Sequence, residues 1–278
     1  MPDRYAVIGN PVTHSKSPGI HAEFARQTGQ DIVYVRLAAP KRGFRAELNR
    51  FIAHGGRGLN VTVPFKQEAA AACQSVSERG KFAQAVNTLT FVDGRIVGDN
   101  TDGAGLLRDL EKNLQVDLHG RRVLLLGAGG AARGVMMPLI ARGVRMIAVV
   151  NRDVAKAQLL QERFGLFGNV RACGYHELAG TAYELVINAT SASLQGAVPP
   201  VPRSVFAPDC VAYDMVYAAG GQTPFLDMAR ECGAIVTSDG LGMLVEQAAE
   251  SFFIWRGVRP ETRPVLEMLR SAAGTPAG

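Results

Sequence analysis

The sequence predicts an α/β protein built from two domains. Short apolar runs alternate with longer amphipathic stretches, as expected where strands alternate with helices along the chain. The run from Arg122 to Leu126 is followed at once by a glycine-rich turn. The 278 residues exceed one typical domain of about 150 residues, and 47% of them are apolar, so each domain can bury a core. This composition excludes a disordered, collagenous or coiled-coil protein.

The first predicted domain spans residues 1–102 together with 241–278. Runs rich in β-branched and aromatic residues predict its strands. They lie at 5–9, 32–37 and 58–63, with a hairpin over 88–97. The hairpin turns at Asp93-Gly94, a pair that accepts the left-handed backbone of a two-residue turn. Apolar residues three or four positions apart predict the helices. These begin near Ser17, Phe44, Pro64, Leu241 and Pro260, with Ser17 at the first N-cap.

The second predicted domain spans residues 103–240. Four apolar runs predict its strands, and amphipathic stretches between them predict helices, the first of which starts at Asp102-Gly103. The strands lie at 122–126, 146–150, 185–188 and 211–215. Buried strands that alternate with helices indicate an open sheet of the Rossmann-like kind.

The net charge and the cysteines limit the partners and the compartment that we expect for this protein. The formal net charge is +5, but the basic residues are scattered and lack an aromatic platform, so we expect no nucleic-acid partner. No apolar segment approaches the roughly 20 residues that span a bilayer, and the start lacks a signal-peptide core. Four separated cysteines predict reduced thiols, so we expect a cytoplasmic protein without a membrane partner. The five histidines show no metal-ligand spacing, so no metal site is expected.

A glycine-rich turn between a buried strand and a helix predicts a dinucleotide site. The turn reads Gly127-x-Gly129-x-x-Ala132, where backbone amides can approach a pyrophosphate at the helix N-terminus. The predicted cofactor-binding residues of the turn are Gly127, Ala128, Gly129, Gly130 and Ala131. The alternative is a tight turn in a fold that binds nothing.

The end of the next strand favours NADP over NAD. An NAD site usually places Asp or Glu there, whereas this chain places Asn151 and Arg152, with Lys156 four residues later. A guanidinium and an ammonium would pair with a 2′-phosphate. Asp153 opposes this interpretation, since a carboxylate repels a phosphate. The alternative is a plain helix start with Asn151 at the N-cap and Arg152 in solvent.

Lys66 is the strongest candidate for acid/base chemistry. It lies in the first turn of a predicted helix, where the macrodipole disfavours a positive charge. Asp102 is the second candidate, although a carboxylate just before a helix is usually an N-cap. Like Asp102, the residues Ser15, Ser17 and Thr62 precede predicted helices, so each is either an N-cap or a ligand-binding residue. Such polar residues at strand ends are typical of a ligand site in an open α/β sheet.

From Tyr5 to about Leu269 the chain resembles the shikimate dehydrogenase family. Its motifs occur in order at separated places. They are Gly9-Asn10-Pro11, His14-Ser15-Lys16-Ser17-Pro18, Asn60-Val61-Thr62-Val63-Pro64-Phe65-Lys66, Ala85-Val86-Asn87-Thr88, Gly98-Asp99-Asn100-Thr101-Asp102-Gly103, Gly127 to Arg133, Ile187-Asn188-Ala189-Thr190, Tyr213-Asp214-Met215-Val216-Tyr217, and Asp239-Gly240-Leu241-Gly242-Met243-Leu244-Val245-x-Gln247.

The resemblance implies a fold, a reaction and a set of site residues. An N-terminal α/β substrate-binding domain and a Rossmann-like NADP-binding domain would form a cleft between them. The reaction would be reversible NADPH-dependent reduction of 3-dehydroshikimate to shikimate in aromatic amino-acid biosynthesis, with Lys66 as acid/base beside Asp102. The implied substrate residues are Ser15, Ser17 and Tyr217 at the carboxylate, and Asn60, Thr62, Asn87, Asp102 and Gln247 at the ring hydroxyls. The implied cofactor residues beyond the turn are Asn151, Arg152, Lys156, Met215, Gly240 and Met243.

Two departures from the family pattern keep alternatives open. The family commonly has Thr or Ser at the position of Asp153, and smaller residues in the loop 191–194, which we expect to line the cofactor groove differently. One alternative is therefore a quinate/shikimate dehydrogenase with relaxed cofactor use. Another is a catalytically silent dinucleotide-binding sensor. We expect a small-molecule substrate and either a monomer or a homodimer.

Overall fold

The computed structural model describes residues 1–274 and confirms the α/β class. The chain divides into two compact units, one of Met1–Gly105 with Val245–Val265, and one of Leu106–Leu244 with the segment that starts at Leu266. From residue 266 onward the chain thus groups with the second unit, whereas the predicted first domain includes that segment. Residues 275–278 of that predicted domain lie outside the described residues. The assignment of one domain to substrate and one to cofactor stays a prediction.

Strands and helices alternate through the first unit. In chain order they are β1 (Asp3–Gly9), α1 (Ser17–Thr28), β2 (Ile32–Ala38), α2 (Phe44–Ala53), β3 (Gly56–Val61), α3 (Lys66–Ala72), β4 (Ser75–Val76), α4 (Glu78–Ala83), β5 (Thr88–Val92), β6 (Arg95–Asp99) and the start of α5 (Asp102–Arg108). The six strands form one sheet in the order β2-β1-β3-β5-β6-β4. The strands β1, β2 and β3 are parallel, and β5 is antiparallel to both of its neighbours.

The predicted hairpin is confirmed, and it explains how distant residues meet. Asp93 and Gly94 adopt φ values of 50° and 72°, the left-handed backbone that a two-residue hairpin turn needs. The pairing of β5 with β6 places Thr88 opposite Asp99, and the pairing of β3 with β5 places Asn60 opposite Thr88. Residues near positions 60, 87 and 100 therefore reach the same end of the sheet.

The second unit contains a single parallel sheet. Its elements are a π-helical turn (Asp109–Asn113) that continues α5, then β7 (Arg122–Leu126), α6 (Gly130–Ala141), β8 (Met146–Val150), α7 (Val154–Phe164), β9 (Val170–Cys173), β10 (Tyr183–Asn188), β11 (Phe206–Asp214), α8 (Pro224–Glu231) and β12 (Val236–Ser238). The strand order is β12-β11-β10-β7-β8-β9. The chain moves outward from β7 in one direction and then from β10 in the other, which is the doubly wound Rossmann-like order.

The two closing helices are α9 (Leu241–Arg256) and α10 (Arg263–Gly274). Helix α9 begins in the second unit and continues in the first. Three short strands, β4, β9 and β12, have no counterpart in the sequence prediction because two to four residues carry no measurable periodicity. In the described part of the chain, no helix has the length and apolar character needed to cross a bilayer.

Candidate active site

Lys66 and Asp102 form an ion pair within the first unit. Lys66 is the first residue of α3 and Asp102 the first residue of α5, and Lys66 Nζ lies 2.5 Å from Asp102 Oδ2. The Asp102 side chain is 7% exposed and that of Lys66 is 23% exposed. The nearby carboxylate offsets the unfavourable placement of a cation at a helix N-terminus. The ammonium is thus held in one position while it stays partly open to solvent.

The N-cap alternative for Asp102 is wrong. Asp102 is the first helical residue of α5 and not the residue before it, and its backbone N–H donates to Asn100 Oδ1 at 3.0 Å. Its carboxylate accepts hydrogen bonds from two side chains. One oxygen accepts from Lys66, and the other accepts from Asn87 Nδ2 at 2.8 Å.

Asn87 connects the ion pair to helix α9. Besides Asp102, its Nδ2 contacts Thr101 Oγ1 at 3.0 Å and Gln247 Oε1 at 3.4 Å, while its Oδ1 accepts from the Thr101 N–H at 2.9 Å. Asn87 is 3% exposed, so these hydrogen bonds form in a low-dielectric setting where they orient the amide firmly. The structure thus brings together Lys66, Asn87, Asp102 and Gln247, four residues that the resemblance implied for the site, and their roles there stay predictions.

Asn60 lies next to this group. Its Nδ2 contacts Ser251 Oγ at 3.0 Å, Thr88 Oγ1 at 3.2 Å and the Asn87 carbonyl at 3.2 Å. Its Oδ1 accepts a hydrogen bond of 2.7 Å from the Tyr34 hydroxyl. Both ends of this buried amide are therefore hydrogen-bonded to neighbours from β2, β5 and α9.

Several members of this network were not predicted from the sequence. They are Tyr34, Thr88, Thr101 and Ser251. Ser251 lies one helical turn after Gln247, so the helical period was a signal that placed both on one face. Thr88 and Thr101 adjoin predicted site residues. Tyr34 carried no such signal, because alternation along β2 predicts only which face of the sheet it occupies.

The serines predicted to hold a carboxylate lie at the start of α1. The N-cap is Lys16 and not Ser17, so the predicted capping role of Ser17 is wrong. Ser17 is the first helical residue and is buried, and its N–H donates to Ser15 Oγ at 3.3 Å. The Arg36 guanidinium donates to the Ser15 carbonyl at 2.6 and 2.9 Å, which fixes this loop and adds positive charge beside it.

Thr62 follows β3 and its methyl group packs over Gly9. A Cβ on Gly9 would come within 2.4 Å of Thr62 Cγ2, so only glycine allows this approach. The contact fixes the threonine side chain at the carboxyl end of the central strand. Whether its hydroxyl binds a ligand stays a prediction.

The glycine-rich turn of the second unit joins β7 to α6. Gly127 has φ of 106°, a backbone conformation that disfavours a side chain, and a Cβ there would be crowded at 3.2 Å from the Ala189 carbonyl. Gly129 is the N-cap of α6, and a Cβ added to it would meet nothing within 4 Å. Within residues 1–274, no side chain caps this helix. Its first amides and the room above Gly129 fit a bound pyrophosphate.

The cations after β8 are exposed. The N-cap of α7 is Asp153, so the alternative with Asn151 at the N-cap is wrong. Asn151 Nδ2 donates to the Asp153 carbonyl at 2.9 Å. Lys156 Nζ lies 3.7 Å from Asp153 Oδ2, with both side chains more than half exposed. The carboxylate that departs from the family pattern therefore contacts one of the two predicted phosphate-binding cations. Arg152 is exposed beside them.

Met215 and Gly240 are in close contact in the second unit, and Met243 follows three residues after Gly240. A Cβ on Gly240 would come within 2.2 Å of the Met215 carbonyl, and the Met243 N–H donates to the Tyr213 hydroxyl at 3.3 Å. Burial raises the pKa of Tyr217, which follows two residues after Met215. Tyr217 belongs to the second unit and the serines to the first, so its place near the substrate carboxylate stays a prediction.

A buried carboxylate anchors the loop 191–194. Asp214 is fully buried, and its Oδ2 accepts from Ser193 Oγ at 2.6 Å and from Thr223 Oγ1 at 2.7 Å. Asn188 Nδ2 donates to its other oxygen at 3.2 Å. Ser193, which lies in the stretch that departs from the family pattern, thus has a fixed structural partner at the carboxyl ends of β10 and β11.

Among the described residues, no group of three or more His, Cys, Asp and Glu side chains is arranged to hold a metal ion. The polar side chains of the first unit instead satisfy one another by hydrogen bonds and the Lys66–Asp102 pair. Ammonium, carboxylate and amide groups in this arrangement can transfer a proton and bind hydroxyl groups.

Three family models match successive parts of the chain. The model of the shikimate dehydrogenase substrate binding domain matches residues 7–89, and the shikimate/quinate 5-dehydrogenase model matches residues 109–196. The model of the shikimate 5′-dehydrogenase C-terminal domain matches residues 240–270. Together they extend over more than half of the chain.

Relatives match over nearly the full length. A shikimate dehydrogenase (NADP+) from Chromobacterium violaceum is 55% identical over 270 residues, which are 97% of this chain and 98% of the relative. The solved structure of an Ael1 enzyme from Pseudomonas putida has a TM-score of 0.91 and 48% identity, covering 96% of this chain and 98% of the other. A shikimate 5-dehydrogenase from Thermus thermophilus, solved with NADP(H) and shikimate, has a TM-score of 0.87 and 34% identity, covering 97% of this chain and 99% of the other. The chain belongs to the shikimate dehydrogenase family.

Proposed function

We propose that this enzyme catalyses the reversible NADPH-dependent reduction of 3-dehydroshikimate to shikimate, a step towards the aromatic amino acids. The observation that carries the proposal is the Lys66–Asp102 pair, with Asn87 on the second carboxylate oxygen. Relatives of more than 50% identity that are named for this activity support it.

The second unit fits NADP as the cofactor. The uncapped N-terminus of α6 and the open space above Gly129 suit the pyrophosphate, and Arg152 with Lys156 suits a 2′-phosphate. Met215, Gly240 and Met243 are proposed to line the nicotinamide end. When bound, NADPH supplies the hydride that reduces the ketone.

Lys66 is proposed to transfer the proton that accompanies reduction. As negative charge develops on the carbonyl oxygen, the ammonium donates a proton to it, and in the reverse direction the amine accepts that proton from the hydroxyl. Asp102 keeps the ammonium in place through the 2.5 Å contact and itself accepts from a substrate hydroxyl. A charged donor fixed before the reaction needs little rearrangement in the transition state.

The remaining residues are proposed to bind and orient the substrate. Serine hydroxyls, with Tyr217, hold the carboxylate, and the amides of Asn60, Asn87 and Gln247 bind ring hydroxyls together with Thr62. The hydrogen bonds among these side chains support this role, because they set the direction of each amide before a ligand arrives. The proposed carboxylate residues on the first unit are Ser15 and Ser17.

The test is the initial rate of NADPH formation by the purified enzyme with shikimate and NADP. The same assay is repeated with NAD and with quinate. A strong preference for shikimate with NADP supports the proposal, and no turnover with any pair would refute it. Comparable rates with quinate or NAD would favour the second candidate, a quinate/shikimate dehydrogenase. That candidate is supported by the contact of Asp153 with Lys156 and by the family description of residues 109–196.

We also infer a cytoplasmic enzyme that is a monomer or a homodimer. The four free cysteines, at positions 73, 173, 210 and 232, support a reducing compartment. Light scattering coupled to size-exclusion chromatography distinguishes the two oligomeric states.

A further inference from the structure

Tyr34 brings a hydroxyl group to the buried side of the candidate substrate site. It lies in β2, and its hydroxyl donates to Asn60 Oδ1 at 2.7 Å. The ring stacks on His21 of α1, with centroids 4.1 Å apart and planes within 6° of parallel. Burial lowers the pKa of His21 to about 3, so the stacked imidazole is neutral. The phenol is therefore fixed by packing, and its hydroxyl reaches one defined place.

The hydroxyl of Tyr34 holds the accepting end of the Asn60 amide. An amide has an accepting and a donating end, and reversing it exchanges the two. In Asn60 the accepting end receives a hydrogen bond of 2.7 Å from the Tyr34 hydroxyl, and the donating end contacts the Asn87 carbonyl, Thr88 and Ser251. The Asn87 carbonyl can only accept, so it requires the donating end on its side. Removing the Tyr34 hydroxyl takes the donor away from the buried oxygen at the other end.

The Tyr34 hydroxyl keeps the proton that it donates. Burial raises the pKa of Tyr34 well above its ordinary value, so the phenol is protonated where it contacts Asn60. Asn60 is the residue of this pair that is assigned to a ring hydroxyl of the substrate.

We propose that Tyr34 is a positioning residue that holds Asn60 in the orientation needed to bind the substrate. The inference rests on the proposed function, since it is there that the Asn60 amide binds the substrate. Tyr34 is not expected to touch the reacting atoms. Its loss should weaken substrate binding in the ground state and the transition state alike, which raises KM and leaves kcat unchanged.

The experiment compares Tyr34→Phe with the parent enzyme and with Tyr5→Phe. The Tyr34 variant keeps the stacked ring and removes only the hydroxyl. We expect the KM for shikimate to rise about tenfold, the typical consequence of leaving one buried acceptor without its donor. The kcat should stay within about twofold, and the KM for NADP should not change.

Tyr5→Phe is the matched control. Tyr5 is buried and stacks on Trp255 with centroids 4.7 Å apart, and its hydroxyl accepts from Arg256 at 3.3 Å. It belongs to the same group of aromatic rings, since Trp255 also contacts Tyr34. A merely structural role for Tyr34 would make the two variants alike. Equal kinetic effects in both variants, or an effect of Tyr34→Phe on kcat alone, would overturn the inference.

The thermal shift caused by shikimate, which needs no turnover, distinguishes a failure of this inference from a failure of the proposed function. Shikimate should raise the melting temperature of the parent and of Tyr5→Phe, and raise that of Tyr34→Phe less at the same concentration. If the parent neither binds nor oxidises shikimate, the proposed function fails. If the parent does both and Tyr34→Phe binds shikimate equally well, only the role of Tyr34 fails.

Discussion

In the first unit the candidate site is a set of side chains that is largely buried, whereas in the second it is a stretch of backbone flanked by exposed cations. Lys66, Asn87 and Asp102 come from three parts of the chain and hold one another by hydrogen bonds. The turn at 127–131 is contiguous and offers amides at a helix end. A substitution in the first site should also disturb the neighbouring side chains that are hydrogen-bonded to it. Substitutions in the second site should have independent effects.

The largest effect is expected for Lys66→Ala. Removing the proton donor should lower kcat for shikimate oxidation about a thousandfold, within the usual contribution of general acid/base catalysis. The KM for shikimate should change far less, because several hydrogen-bonding side chains remain. Steady-state kinetics with saturating NADP measures both quantities.

Lys81→Ala is the control for Lys66→Ala. Lys81 is an exposed lysine whose ammonium contacts Glu78 at 2.8 Å, and it is not one of the predicted site residues. Its loss should leave both constants unchanged. A large rise in KM with intact kcat in Lys66→Ala would make Lys66 a binding residue and not the proton donor.

The same contrast separates the features that could be predicted from the sequence from those that could not. The glycine turn was predictable, because Gly127 and Gly129 act through local backbone geometry and a fixed spacing. The side-chain site required a resemblance to a known family, because positions 66, 87, 102 and 247 meet only through the hairpin and α9. No local sequence pattern predicted that Tyr34 belongs to the site, because its partners lie on β3 and α1. The N-cap expectations for Ser17 and Asp102 were wrong because helix ends shift by one residue without any change in composition.

Two glycines of the turn test whether the second site acts through its backbone. Gly129→Ala should fold normally, because a Cβ there meets nothing within 4 Å, yet it should raise the KM for NADP about tenfold by occupying the room above the helix end. Gly127→Ala should instead lose about 1 to 3 kcal/mol of stability, since its φ is 106° and the new atom would approach the Ala189 carbonyl. Melting temperature and KM for NADP are measured for both. A Gly129→Ala variant with normal affinity for NADP would show that the turn serves packing alone.

Charge pairing in the first unit also predicts its behaviour in acid. Burial would raise the pKa of Asp99, but hydrogen bonds from Arg79 and Ser77 outweigh it and hold that pKa below 3.8, its ordinary value. The pKa of Glu250 is likewise held below 4.5, against burial, by Arg259 and Arg79. A lowered folded-state pKa stabilises the protein above the unfolded value, and this stabilisation is lost as pH falls through the folded value.

Arg79→Met should therefore begin to unfold at a higher pH than the parent, by about half a pH unit, and lose about 1 to 2 kcal/mol at neutral pH. Circular dichroism during acid titration measures the midpoint. Arg57→Met is the control, because Arg57 is exposed and contacts Asp3 at 3.3 Å on the surface. Identical acid midpoints in Arg79→Met and the parent would mean that the interior pairs do not govern acid stability.

The smallest effect is expected at the exposed cations of the second unit. Asp153→Ser removes a carboxylate that contacts Lys156 at 3.7 Å, so the ammonium is released and the repulsion of a 2′-phosphate disappears. The KM for NADP should fall about two- to threefold, and that for NAD should not change, since NAD carries no 2′-phosphate. This fall in the KM for NADP should become smaller as salt rises from about 0.05 M to about 0.5 M, because exposed charges are screened.

Asp227→Ser is the control. It breaks a similarly exposed pair with Arg230 on α8 and should leave both KM values as they were. An equal gain for NAD and NADP would mean that Asp153 acts on the shape of the loop, and the basic residues after β8 would then lose their assigned role in cofactor choice.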